Sequence, residues 1–258
     1  MTLTRDAIWL WAHEAGTHNT YPGLPGPSRI TPLEAACYLG IGNLIMVCYG
    51  DKPEPPFERY ALPMRSLRRL VWSIVGDGSS RRMDLEPVLE LAARQENLSG
   101  AMMDDFFQIQ PSTGLPGRHD AEAVAGFARR LHGAARRLDL WVVLYDHELG
   151  LPVRPHLDAC DVITFWIWKA QDLAQRDESI RRLEELAPDK RKMLGLYLWD
   201  YGGGAPMPLD TFRRQLDFGR GLVEAGRVDG LILLGSPICD LGLDTVEEAR
   251  AWVRGLPG

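Results

Sequence analysis

The feature that most constrains the fold of this chain is a series of eight short apolar runs, rich in branched and aromatic residues. They lie at about residues 7–11, 43–48, 70–75, 99–103, 140–145, 161–167, 193–198 and 229–234. Near-continuous hydrophobic runs of this length are typical of parallel strands that are buried on both faces of a sheet. The pattern therefore predicts eight buried parallel strands.

Most segments between these runs carry apolar residues at helical spacing. The first helix has Thr31 as its N-cap, Pro32 at its first position and Glu34 three residues after the cap, which together predict a capping box. Further helices are predicted to begin near Asp84, Asp120, Asp177, Asp210 and Asp244, the last with a second capping box completed by Glu247.

Strands that alternate with helices predict right-handed βαβ units, and eight such units in a chain of 258 residues predict closure into a (β/α)8 TIM barrel. An open doubly wound sheet is the alternative, but the Gly-rich dinucleotide turn expected after its first strand is absent. We expect one domain spanning residues 1–258, with an active site at the C-terminal ends of the strands.

Charge and composition exclude several partners. The net charge is −6 and the arginines are spread over predicted helices, so we expect no nucleic-acid partner. The first apolar run is interrupted by His13 and Glu14 and lacks a basic leader, and no later run is long enough to cross a bilayer, so we expect a cytoplasmic protein without a membrane partner. The four cysteines lack metal-binding spacing and are predicted to be reduced core thiols. Nothing in the sequence indicates an oligomeric state.

The residues just beyond each strand would converge on one cavity, and aromatic and acidic side chains dominate them. The aromatic candidates are Trp11, Tyr145, Trp166, Trp168, Trp199 and Tyr201, and the polar candidates are His13, His147, Glu148, Lys169 and Asp200. Pyranose rings stack on indole and phenol rings while carboxylates bind their hydroxyls, and cleavage of a glycosidic bond needs two carboxyl groups. The mixture predicts a small carbohydrate as substrate. Two irregular stretches, residues 12–30 and 49–63, would wall this site.

The sharpest local signal is the segment AMMDDFF, in which Asp104 and Asp105 end an apolar strand. Adjacent carboxylates repel each other when both are ionised, so one tends to keep its proton and can act as a general acid while the other stays charged. Side chains alternate along a strand, so the two would point in different directions unless the strand ends at Asp104 and turns.

This segment resembles the paired-aspartate motif after the fourth strand of barrel glycoside hydrolases that use substrate assistance, such as the O-GlcNAc hydrolase family. The resemblance covers about six residues of this chain. It implies that Asp104 orients and polarises a neighbouring substrate group and that Asp105 protonates the leaving oxygen. No cofactor is implied.

A second placement is similar to that of amylase-type barrels, which collect acids from the fourth, fifth and seventh strands. In that arrangement Glu148 or Asp200 would be the partner of the fourth-strand acid. Spacing alone does not choose between a retaining, an inverting and a substrate-assisted mechanism, because the separation of the two carboxyl groups decides the outcome.

Three alternatives stay open. Lys169 follows the sixth strand, where Schiff-base aldolases of this fold carry their lysine, and glycines at 202–204 and 235 could cradle a phosphate, which would suit a sugar or sugar-phosphate lyase. His13, Glu14 and His18 could contribute to a metal site with nearby acids, although we expect hydrogen-bonding roles for them and no metal. A non-catalytic carbohydrate-binding barrel would keep the aromatic residues and need no catalytic acid.

Overall fold

The computed structural model describes residues 2–78, 82–111 and 113–258, in which eight parallel strands close into a barrel in sequential order. The strands are β1 (Ile8–Ala12), β2 (Asn43–Met46), β3 (Arg69–Val75), β4 (Leu98–Met103), β5 (Asp139–Tyr145), β6 (Val162–Trp166), β7 (Arg191–Tyr197) and β8 (Gly230–Leu234). Each strand pairs with the next, and β8 pairs with β1. The predicted (β/α)8 TIM barrel is confirmed, with one strand at each apolar run.

Helices surround the barrel on its outside. They are α1 (Pro32–Leu39), α2 (Glu58–Ala61), α3 (Leu85–Ala92), α4 (Ala121–His132), α5 (Arg154–Ala159), α6 (Arg176–Leu186), α7 (Leu209–Glu224) and α8 (Asp244–Arg254). Short 3-10 turns occur at Arg5–Ala7, Leu62–Ser66, Asp146–Glu148, Ala170–Gln175 and Ser236–Ile238. The sequence did not predict α2 and α5, which are only 4 and 6 residues long, because so short a helix shows almost no periodicity.

The two predicted capping boxes have different outcomes. At α1 the Glu34 amide donates to the Thr31 hydroxyl over 3.3 Å and the Thr31 amide donates to the Glu34 carboxylate over 2.8 Å, which confirms the first box. The second box is wrong, because α8 is capped by Leu243 and Asp244 is already its first helical residue. Glu247 instead accepts a hydrogen bond from the Tyr38 hydroxyl on α1.

A close contact between β6 and β7 involves Trp166 and Gly195. Trp166 is buried with its ring against Gly195, where an added Cβ would lie 1.9 Å from the nearest ring atom. Only glycine leaves room for an indole ring at this point. The absence of a side chain at Gly195 therefore determines where Trp166 can lie.

Three of the four cysteines are buried as predicted, and all four are free thiols. Cys37 is the exception, because it lies on the solvent-facing side of α1 and is exposed. Within the described part of the chain, no helix combines the length and the apolar character that crossing a bilayer requires.

Candidate active site

A cavity of about 460 Å³, including its open mouth, lies at the C-terminal end of the barrel. Aromatic residues make up most of its lining, and they come from β1, β2, β5, β6 and β7 or the loops that follow these strands: Trp11, Tyr21, Tyr49, Tyr145, Trp166, Trp168, Tyr197 and Tyr201. Residues 12–30 and 49–63 supply His18, Tyr21 and Tyr49, so both irregular stretches wall the cavity as expected. The remaining lining residues are Asp77, Asp104, Asp105, His13 and Leu234.

The chain turns immediately after β4 and brings both aspartates of the pair to this cavity. The strand ends at Met103, and the Asp104 amide donates to the Val75 carbonyl over 2.9 Å, which continues the pairing with β3. Asp105 then adopts a left-handed backbone conformation with φ of 40°. Such a conformation is uncommon for a residue other than glycine and costs energy. It interrupts the alternation of a strand, so both side chains line the same cavity.

Asp104 is almost completely buried, with 5% of its surface exposed. Burial, followed by the neighbouring charges of Asp105 and Asp77, raises the pKa of Asp104 well above its usual value. One carboxyl oxygen accepts the backbone amide of Asp105 over 2.9 Å. Burial and the neighbouring charges therefore favour the neutral form of this carboxyl group more than in an exposed aspartate.

Asp105 is oriented by neutral donors. The Tyr145 hydroxyl donates to Oδ1 over 2.8 Å and the Gly78 amide donates to Oδ2 over 2.9 Å. Burial raises the pKa of Tyr145 well above its usual value, so its phenol keeps the proton that it donates. Both oxygens of Asp105 thus accept hydrogen bonds in the manner of a carboxylate.

The aromatic side chains meet edge to face. Trp11 and Trp166 have centroids 5.2 Å apart at 74°, Trp168 and Tyr197 lie 5.9 Å apart at 82°, and Tyr145 and Trp168 lie 5.6 Å apart at 79°. Rings at such angles form adjoining walls of a box rather than a stack.

The histidines of the cavity are neutral. Burial lowers the pKa of His18 to about 4 and lowers that of His13 well below its usual value. His18 shares a hydrogen bond of 3.0 Å with the Tyr201 hydroxyl, and Nε2 of His13 accepts the Trp11 indole N–H over 3.3 Å. The Nδ1 atom of His13 and the hydroxyl of Tyr197 are buried without a hydrogen-bond partner among the described residues.

The other predicted acids lie outside the cavity lining. Glu148 is buried behind the rim and accepts the Tyr145 amide over 2.8 Å, and burial raises its pKa to about 7. Asp200 accepts the amides of Gly203 and Ala170, so it holds the glycine-containing turn after β7. Both carboxyl groups therefore organise the loops that carry the cavity residues.

Three further predicted residues also lie away from the lining. Lys169 is exposed on the surface. His147 stacks on the outer face of Tyr145 with centroids 5.3 Å apart, and its pKa is raised by the hydrogen bond with Asp146. Trp199 is fully buried, and its ring packs against Gly23 of the irregular stretch 12–30.

Sequence reasoning missed Tyr21 and Tyr197 as lining residues. Tyr197 is the last residue of β7 and falls inside an apolar run, so the sequence pattern predicts that it is part of the hydrophobic core. Its position at the C-terminal end of a barrel strand could have indicated a place in the active site, because active sites of this fold lie at that end. Tyr21 is in an irregular loop, whose path the sequence does not specify. No group of three or more histidine, cysteine or acidic side chains in the described ranges is arranged to hold a metal ion.

No family model and no curated protein matches this chain. Solved structures match its fold over nearly its whole length. One is active domain 2 of a thermostable chitinase from Pyrococcus furiosus in complex with chito-oligosaccharides, with a TM-score of 0.64 and 9% sequence identity. The match covers 98% of this chain and 96% of the chitinase chain. A probable 2-pyrone-4,6-dicarboxylic acid hydrolase from Acinetobacter baumannii is similar with a TM-score of 0.56 and 10% sequence identity. The match covers 96% of this chain and 92% of the hydrolase chain.

A tryptophan synthase complex from Pyrococcus furiosus has a TM-score of 0.51 and 12% identity over 98% of each chain. These proteins have unrelated activities on one architecture. At such low identity the similarity shows the shared (β/α)8 barrel and assigns no reaction to this chain.

Proposed function

We propose that this chain is a glycoside hydrolase-like enzyme that acts on a small saccharide or glycoside by carboxylate catalysis. The observation that carries the proposal is the side-by-side placement of Asp104 and Asp105 in a cavity walled by aromatic rings. A sugar ring can stack on these walls while the acid pair acts on its glycosidic bond. The similarity of fold to a chitinase domain that binds chito-oligosaccharides supports the same substrate class.

The surroundings of the two aspartates favour a division of roles opposite to the one that the resemblance implies. Burial raises the pKa of Asp104, which favours this residue as the general acid that protonates the leaving oxygen. Asp105, which accepts hydrogen bonds from Tyr145 and Gly78, supplies the negative charge that stabilises the oxocarbenium-like transition state.

The aromatic residues that reach the mouth complete the subsite. Trp168 is half-buried and Tyr145 stands beside it, so their faces can receive the apolar side of a pyranose. The unpartnered hydroxyl of Tyr197 can bind one hydroxyl of the sugar.

The Schiff-base lyase has no comparable support. Lys169 is exposed outside the cavity, and the turn at 202–204 is closed on Asp200, whose carboxylate accepts the Gly203 amide over 2.9 Å.

The test is hydrolysis of a panel of 4-methylumbelliferyl glycosides by the wild type and by Asp104→Asn and Asp105→Asn. We expect turnover of at least one substrate, and a loss of about a hundredfold or more in each variant while binding of the sugar is retained. Asp217→Asn on α7, which removes an exposed carboxylate that does not line the cavity, is the matched control and should keep full activity.

Sugar binding without any turnover, unchanged by the two substitutions, would establish a carbohydrate-binding barrel instead. Absence of both binding and turnover across the panel would overturn the carbohydrate proposal.

A further inference from the structure

The residues that could give the cavity a net charge are all acidic. Three of its lining residues are aspartates, and none of the lining residues in the described ranges is a lysine or an arginine. His13 and His18 are held neutral by burial. Arg118 acts on Asp104 from outside the lining and donates to the Asp77 carbonyl over 3.0 Å.

The carboxylate of Asp105 receives its hydrogen bonds from uncharged groups, the Tyr145 phenol and the Gly78 amide. A negative charge held in this way retains most of its field inside the cavity, where the aromatic walls exclude water. An anionic ligand such as a sugar phosphate or a uronic acid would be repelled there.

The walls themselves favour a cation. Trp166 and Tyr197 have centroids 5.2 Å apart, and Trp168 and Tyr197 stand nearly perpendicular, so the rings that line the cavity meet at steep angles. The faces of aromatic rings carry negative potential, and boxes of this kind bind ammonium groups.

The hydroxyl of Tyr197 provides an independent indication of a ligand. The residue is 3% exposed, lines the cavity, and has no hydrogen-bond partner for its hydroxyl among the described residues. A buried hydroxyl without a partner is costly unless a ligand or water completes it. Asp105 acts electrostatically on this phenol, so a group bound to the phenol also lies in the field of that carboxylate.

We propose that the cavity selects for a positively charged group on its ligand and that, given the proposed function, this ligand is a sugar carrying a protonated amino group. The ammonium group lies among the ring faces, donates to Tyr197 and is attracted by Asp105. A neutral sugar of the same shape would bind less tightly because it makes only the stacking contacts.

The experiment is a calorimetric or tryptophan-fluorescence titration of the wild type at pH 6.5. The ligands are methyl glycosides of the gluco, galacto and manno series that bear an amino group, an N-acetylamino group, a hydroxyl group or a carboxylate. We expect the aminated sugar of the preferred series to bind about tenfold more tightly than its hydroxyl counterpart, and the carboxylate sugar to bind most weakly. The N-acetylated sugar separates the effect of charge from that of the nitrogen atom.

Variants provide a second arm. In Asp105→Asn the ratio of affinities for the aminated and the hydroxyl sugar should fall toward one, whereas Asp217→Asn, which removes the same charge from the surface, should leave the ratio unchanged. Equal wild-type affinities for the aminated and the hydroxyl sugar would overturn the charge selection and leave the proposed function intact. Tetramethylammonium is titrated alongside the sugars. Its binding without binding of any sugar would overturn the proposed function and the amino-sugar assignment together, while charge selection itself would stand.

Discussion

The hydroxyl of Tyr145 donates a hydrogen bond of 2.8 Å to Asp105 across the boundary between β5 and β4. Tyr145 is the last residue of its strand, and Asp105 lies just past the end of the neighbouring one. Behind the tyrosine, Glu148 accepts its backbone amide and His147 stacks on its ring. The contact therefore connects the predicted acid pair to a residue that is itself held by a hydrogen bond to its amide and by ring stacking.

Removing this hydroxyl should lower activity without unfolding the protein. We expect Tyr145→Phe to reduce kcat on the best glycoside substrate by about tenfold or more, because a hydrogen bond to a charged group contributes about 1.5–3 kcal/mol. KM should change little if the hydroxyl acts through Asp105. The measurement is steady-state kinetics, in which kcat and KM are determined separately for the wild type and the variant.

Tyr38→Phe is the matched control, because it also removes a phenol that donates to a carboxylate, Glu247, but on the protein surface. It should leave the kinetics unchanged. Equal effects of the two substitutions would show that Tyr145 has no specific role.

The buried carboxyl of Glu148 should make the stability of the fold depend on pH. Burial raises its folded-state pKa from 4.5 to about 7, so the folded protein holds a proton that the unfolded chain has already released. The free energy of unfolding should therefore fall as pH rises from about 4.5 to 7 and show no further change from this group above that, with a total on the order of 3 kcal/mol.

Glu148→Gln tests this assignment, because glutamine keeps an oxygen that can accept the Tyr145 amide but does not titrate. Denaturant unfolding at pH 5 and at pH 8 should show the variant gaining stability relative to the wild type at the higher pH. A wild-type minus variant difference that is independent of pH would contradict the raised pKa.

A methyl group at Gly195 should destabilise the barrel. The added carbon would overlap the Trp166 ring, which is surrounded by packed core and cannot move away freely. We expect Gly195→Ala to cost about 2–3 kcal/mol and to lower Tm by about 5–10 °C. Differential scanning calorimetry measures the change.

Gly221→Ala is the control for this substitution, because Gly221 is an exposed residue within α7 with no atom within 4 Å of an added Cβ. Alanine there should raise stability by about 0.5–1 kcal/mol through its helix propensity. A Gly195→Ala variant as stable as the wild type would mean that the indole does not lie against this glycine.

Loss of the indole at Trp168 should weaken sugar binding more than it lowers turnover. We expect Trp168→Leu to raise Kd for a bound glycoside by about fivefold to tenfold, because aromatic contacts of this type contribute about 0.5–1.5 kcal/mol beyond their area. Trp252→Leu on α8, outside the cavity, should leave Kd unchanged. Isothermal titration calorimetry measures Kd for the glycoside in both variants. An unchanged Kd in Trp168→Leu would show that this residue does not belong to the sugar subsite.

Much of the architecture could be predicted because it depends on local hydrophobic patterning. All eight strands lie at the apolar runs, and the capping box at Thr31 forms as its residues indicate. The irregular stretches at 12–30 and 49–63 wall the cavity because loops that follow barrel strands end at the same face.

The candidate site was only partly predictable, because position beyond a strand does not determine which way a side chain points. Glu148 and Asp200 follow their strands as Asp104 does, yet they turn to bind backbone amides of their own loops. Lys169 is exposed, although its sequence neighbours are aromatic. An acidic side chain at such a position can either accept hydrogen bonds from the backbone of its own loop or point into the cavity. The backbone course of the loop determines which of the two occurs.

The sequence by itself determined the eight strands, their order of alternation with helices and the end of the barrel where polar groups collect, because short apolar runs must be buried on both faces wherever they occur. Only the tertiary structure decided that Asp104 is the more deeply buried member of the pair and that Tyr145 and Tyr197 line the same cavity. Those relationships depend on a left-handed turn at Asp105 and on packing between strands that are distant in the chain, and neither is encoded in the residues of any single segment.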